Sequence, residues 1–204
     1  MYRTQLLCII TAVLTLSACS NHVKVSGDYP APLIAPLPVS AGLVLDGDFT
    51  SYIYQEDVED RWGRSIELGE SQSQLLRTVL PSVFSGYTEK NTLPAFPARN
   101  AQLWLHPSIQ ELQYATPRET RLKLFEVWIK YGIKAYDSEG QLLADWIVTA
   151  YGKTPSAFMK SEEDALNAAL VVALRDLGAN LTLQTRHVPE IKDWLQGIQT
   201  GDSL

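Results

Sequence analysis

The stretch LKLFEVWIKYGIKAYD, residues 122–137, decides the fold. Its odd positions Phe125, Val127, Ile129, Tyr131, Ile133 and Ala135 are apolar, while its even positions include Glu126, Lys130 and Lys134. Successive side chains of a strand point to opposite faces. Alternation sustained this long therefore predicts one face on a core and the other on solvent or a partner. Asp137-Ser138-Glu139-Gly140 reads as a turn in which Gly140 supplies positive φ, and residues 142–153 read as the returning arm. A hairpin of this length is expected to centre a sheet.

Beyond the hairpin the period changes. Ser161 can cap a helix whose first turn holds Glu162, Glu163 and Asp164, where the helix dipole favours negative charge, and Leu166, Leu170, Ala173, Leu177 and Leu181 form its stripe. Gly178 costs about 1 kcal/mol there relative to alanine, so it is expected to permit close packing against the sheet. Pro189 suits a helix start, with Trp194 and Leu195 as a docking pair, and the last five residues are expected to be loose.

Ahead of the hairpin, residues 102–106 read as a buried strand that 109–114 extend or follow, and residues 94–100 as loop. Leu75, Leu76, Val79, Leu80, Val83 and Phe84 recur at helical spacing. Ser71 or Ser73 is the expected cap, and Pro81 is expected to kink or end the helix near Leu80. Residues 41–46 and 51–55 read as strands, and 61–69 as a turn with a short strand.

The N-terminus addresses the chain to a compartment. Arg3, the apolar run 6–16 and the sequence Leu16-Ser17-Ala18-Cys19 form a secretory leader. The run falls well short of the roughly 20 residues that span a bilayer. Leu-Ser-Ala-Cys resembles the bacterial lipobox, and the resemblance implies diacylglyceryl transfer to the Cys19 thiol, cleavage before Cys19 and acylation of the new amine. Ser20 in place of aspartate implies, by the enterobacterial sorting rule, an outer-membrane destination facing the periplasm. An ordinary secretory signal with an incidental cysteine is the competing reading. Residues 19–40, with Pro30, Pro32, Pro36 and Pro38, read as a lipidated proline-rich tether. A proline-rich partner motif, or an edge lying against the domain, are the alternatives. The organisation expected is thus a signal peptide at 1–18, a tether at 19–40 and a single periplasmic domain at 41–204.

Charge and motif content narrow the function. Of 204 residues, 17 are Lys or Arg and 23 Asp or Glu, for a formal charge of −6 that becomes −7 when Arg3 leaves with the leader. Such a surface disfavours nucleic acid, whose binding needs clustered cations. The two cysteines are Cys8, in the leader, and Cys19, so neither a disulfide nor a free thiol is expected in the mature protein. His22, His106 and His187 are scattered, and no zinc-site spacing, nucleophile elbow or Gly-rich phosphate loop occurs. No cofactor or metal is expected. Glu126 and Asp145 as an acid pair weigh less than the same carboxylates solvated or facing Lys130 and Lys134. The remaining feature is the even face of the hairpin, where Trp128, Lys130, Lys134 and Tyr136 share a side and Trp146 is placed on the returning arm. Exposed rings interleaved with cations suit a partner. A helix or the tether covering that face is the bland alternative.

The lipobox, the proline-rich segment, the stripe 75–84, the strand 102–106, the long hairpin and the helix carrying Ala165-Leu166-Asn167-Ala168-Ala169 together resemble the small Gram-negative envelope lipoproteins. Among these are the ABC-type transport auxiliary lipoproteins and the LptE-like and YajG-like groups. The resemblance implies a non-catalytic periplasmic domain that scaffolds an envelope transport or assembly complex. Its partners would be the membrane, through the acyl chains, and an envelope protein. The expected fold is α+β, a mostly antiparallel sheet with helices 71–85 and 161–185 packed on one face. A lipid- or glycan-binding module is the alternative, to be marked by an apolar pocket of several hundred Å³, and an unrecognised hydrolase comes third.

Overall fold

The computed structural model describes residues 22–56, 63–155, 159 and 161–201. The expected leader and the expected acylation site at Cys19 lie outside them. In chain order the elements are β1 (His22–Lys24), β2 (Leu37–Val44), α1 (Gly47–Thr50), β3 (Ile53–Gln55), β4 (Ser65–Glu67), α2 (Gly69–Val83) and β5 (Phe84–Lys90). There follow β6 (Leu103–Ala115), β7 (Leu124–Asp137), β8 (Leu142–Pro155), α3 (Glu162–Gln184), a 3-10 turn (Thr185–His187) and α4 (Pro189–Gly201).

The fold is α+β. Its main sheet runs β5-β2-β6-β7-β8, and a small second sheet runs β1-β4-β3. The hairpin forms as its alternation dictates: Phe125, Val127, Ile129, Tyr131, Ile133 and Ala135 are all buried, and Gly140 turns the chain at φ +89°. The sheet is mixed, antiparallel across β6, β7 and β8, whereas β2 pairs parallel with both β5 and β6. Residues 103–115 form one strand, so the two short runs expected around Pro107 are continuous.

Helix α3 begins where the sequence places it, with Ser161 Oγ accepting from the Asp164 N–H at 3.0 Å. Its buried Ala165, Ala169 and Ala173 bring it onto β8, where a Cβ built on Gly152 would fall 2.1 Å from the Ala169 carbonyl oxygen. Gly152, not Gly178, is therefore the close approach to the sheet. Gly178 faces α2 instead, with Leu75 Cδ1 and Val79 Cγ2 at 3.0 and 3.2 Å from its notional Cβ. The helix is covered by the sheet on one side and by α2 on another, and the glycine lies on the helix-facing side.

Three further expectations are corrected. Helix α2 starts at Gly69 without a side-chain cap. Ser73 donates to the Gly69 carbonyl at 2.7 Å, and Ser71 shares a 2.5 Å hydrogen bond with Tyr29, so both serines are buried in the helix. The same helix continues past Pro81 to Val83. Proline removes one N–H on an exposed side while Val79, Leu80 and Val83 stay buried and hold the last turn. Residues 84–90, of which 84 and 85 were expected to complete the helix and the rest carried no assignment, form the edge strand β5.

The proline-rich segment is not a free spacer from residue 22 onward. Val23, Val25 and Tyr29 are buried, and the Val25 N–H donates to the Glu67 carbonyl at 2.9 Å. Asn167 then exchanges two hydrogen bonds with Ser26, Arg175 donates twice to the Asp28 carbonyl and Arg186 donates to the Ala35 carbonyl. The segment runs along α3 as a strap. Prolines suit it because they carry no N–H to satisfy and leave carbonyls free for the guanidinium donors.

Candidate functional site

The even face of the hairpin is the first candidate, and strand register decides what it contains. Trp128 sits between Gln113 and Tyr151, Lys130 between Glu111 and Thr149, and Lys134 between His106 and Asp145. Trp128 is 37% exposed and its ring lies 5.4 Å from that of Tyr151. Lys130 Nζ is 3.6 Å from Glu111 Oε2. Between them lies a shallow depression of about 290 Å³ lined by Glu111, Gln113, Trp128, Ile129, Lys130 and Thr149.

Tyr136, expected on the same open face, is half-covered at its far end. Its ring packs 6.3 Å from Phe96, beside a small second core of Val44, Ala98, Ala101 and the fully buried Trp104. Trp146 is not on this face. The pairing slips between Ala135, opposite Ala144, and Tyr136, opposite Leu142, so Leu143 is bulged. A one-residue bulge reverses which way every following side chain points. Trp146 thus lies opposite Ile133 and packs on the main core, with its Nε1 buried and unpartnered among the described residues. Ile147, 44% exposed and opposite Gly132, takes its place. The bulge leaves no mark in composition, which is why parity misplaced the ring. Glu126 opposes Lys153 and Asp145 opposes Lys134, eight residues further along β7, so the two carboxylates form no acid pair.

A second candidate lies on the helical side. The strap at Pro30, Ala31 and Pro32 roofs an apolar groove of about 350 Å³ whose floor includes Leu75, Val79, Ala179 and Leu183. This is a surface groove, open to solvent along the strap.

Of the histidines, His106 acquires a partner that sequence spacing did not show. Its Nε2 lies 2.7 Å from Asp46 Oδ2, and Asp46 Oδ1 accepts from the Phe49 N–H to cap α1. Burial alone would raise the Asp46 carboxyl, but the bonds from His106 and Phe49 outweigh it and hold the group below its ordinary 3.8. A carboxylate with a depressed folded pKa contributes stability above its unfolded value and loses it as pH falls through the folded one. Asp46→Asn is therefore expected to flatten the loss of stability below about pH 4, read as urea midpoints between pH 3 and 6. Among the described residues no group of three or more His, Cys, Asp or Glu could hold a metal ion.

No family model matches the chain, and no curated protein matches it in sequence. Solved structures do resemble it. Protein XCC0632 from Xanthomonas campestris, of family-model DUF330, superposes with TM-score 0.50 at 10% identity, over 79% of this chain and 92% of that one. A candidate lipoprotein from Caulobacter crescentus CB15 aligns at 0.37 and 15% identity, over 64% and 81%. Lipoprotein GNA1162 from Neisseria meningitidis aligns at 0.30 and 16%, over 70% and 99%. The last two alignments are too loose to carry an argument. The comparison with XCC0632 establishes a shared fold.

Proposed function

We propose that the protein is a lipid-anchored, periplasm-facing accessory lipoprotein of an envelope transport or assembly system, with no chemistry of its own. The observation that carries this reading is the lipobox ending at Cys19, followed three residues later by β1 of a folded domain. Ser20 supports the outer membrane as the destination. The open sheet face of Trp128, Lys130 and Lys134, joined by Ile147 and Tyr151, is the surface offered to an envelope protein. Metabolic labelling with palmitate tests the anchor. The wild-type protein is expected to take up label and fractionate with membranes, and Cys19→Ala to lose both; normal labelling of that variant would contradict the reading.

The groove under the strap favours a second reading, a lipid-binding module, because its volume and apolar lining fall at the lower end of ligand sites, about 300–1,000 Å³. Lipid recovered from the purified wild type but not from Ala179→Trp, which fills the groove, would favour it.

A further inference from the structure

The start of β1 and one unusual loop lie at the same end of the domain. His22 pairs with Ser65, its Nδ1 2.7 Å from Ser65 Oγ. The neighbouring Arg64 guanidinium lies 5.7 Å from the Tyr114 ring and 6.0 Å from the Phe125 ring. Tyr114 is near the end of β6 and Phe125 near the start of β7, so the loop joining them, residues 116–123, projects from the end at which β1 begins. Three residues reach at most about 11 Å. With β1 fixed on the domain, a lipid on Cys19 would hold this end against the bilayer.

The loop has the chemistry for that place. Leu122 is 74% exposed, and Arg118, Arg121 and Lys123 around it are exposed. None of the three cations forms an ion pair with another described residue. The one carboxylate within the loop, Glu119, is exposed but is engaged by the loop itself, accepting from the Thr116 N–H and hydroxyl at 2.7 and 2.8 Å. Thr120 Oγ1 bonds both the N–H and the carbonyl of Leu124, and Lys123 is held at φ +57°, an unusual backbone for a residue with a side chain. The tip is thus tied from within. Met159, 39% exposed, follows the strand end at Pro155, which pairs with Leu124 at this same end. An apolar tip ringed by cations is the pattern by which peripheral segments enter the interface, the apolar group below the phosphates and the cations among them.

We infer that residues 116–123 form a membrane-contact loop that seats Leu122 in the phospholipid leaflet carrying Cys19 and places Arg118, Arg121 and Lys123 at the level of its phosphates. The inference rests on the lipid-anchor reading. It also fixes an orientation: the β6-β7 end down, and the Trp128 sheet face alongside the membrane normal, open to the periplasm.

Site-directed fluorescence tests it, because the mature chain has no thiol besides that of Cys19. The lipidated full-length protein carrying Leu122→Cys, labelled with bimane, is reconstituted in vesicles of phosphatidylethanolamine and phosphatidylglycerol containing nitroxide-labelled lipid. Ile147→Cys is the control. Emission at 122 is expected to fall by about half or more and that at 147 by about a tenth or less, as for an interfacial against an aqueous site. Adding Arg118→Glu, Arg121→Glu and Lys123→Glu is expected to remove the quenching at 122. Equal quenching at both positions, or none at 122, overturns the inference. Mass spectrometry of the same sample separates the two claims: lipid on Cys19 without quenching at 122 sinks only the loop, whereas no lipid on Cys19 sinks the anchor and the loop with it.

Discussion

Gly152→Val is expected to destabilise the domain by at least about 3 kcal/mol, at the upper end of overpacking costs. The atoms its side chain would meet are backbone, the Ala169 carbonyl oxygen at 2.1 Å and the Ala173 nitrogen at 2.4 Å from a Cβ alone. A flexible side chain could swing aside, but a helix backbone can only move as a body. Displacing α3 would loosen the seam that buries Ala165, Leu166, Ala169, Leu170 and Ala173, each fully buried. For a chain of this size the cost corresponds to a fall in Tm of roughly 6–12 °C. Thermal unfolding followed by circular dichroism checks it; a variant within about 2 °C of wild type would show that α3 does not ride on β8 as described.

Gln72→Ala should cost a comparable amount by a different route, about 3 kcal/mol or more. Gln72 is fully buried in α2, where its Nε2 donates to the Phe49 carbonyl at 2.7 Å and its Oε1 accepts from the Tyr131 hydroxyl at 3.0 Å. One side chain thereby ties α1 and α2 to the buried face of β7. Its removal leaves a carbonyl and a hydroxyl without partners in a dry interior, each worth about 1–3 kcal/mol, and a small void besides. The prediction is sharpest as a cycle. Tyr131→Phe should be costly in the wild type and nearly free once Gln72→Leu has removed its acceptor, because the orphaned donor is gone. Urea midpoints of the four proteins measure the coupling; strict additivity would contradict the linker role.

These two residues also show where sequence reading stops. The alternation at 125–135 and the cap and stripe from Ser161 declare themselves because burial repeats at a fixed period, so β7, β8 and α3 were legible. Gln72 was not, since a buried amide inside a helix is explained by partners on two other elements and by nothing local. The strap at 25–36 was read as a spacer for the same reason: its proline content matches a free linker, and the groups that dock it, Asn167, Arg175 and Arg186, lie more than 140 residues away. Residues 84–90 hid because Phe84 completes the apolar stripe of α2 while the strand that follows is a partly exposed edge. The candidate face was half legible. Trp128, Lys130 and Lys134 follow from the parity of β7 alone, whereas Trp146 and Ile147 depend on the bulge at Leu143.

On the proposed lipid-anchor reading, the strap changes what an anchor would do. A spacer of some twenty residues would let the domain roam above the bilayer, whereas a chain fixed from His22 would hold it close. The experiment that bears most directly on this account is the intact mass of the mature protein purified from bacterial membranes. Acylated Cys19 should be the first residue, carrying diacylglyceryl and amide-linked fatty chains. A mature chain that begins elsewhere and carries no lipid would contradict it.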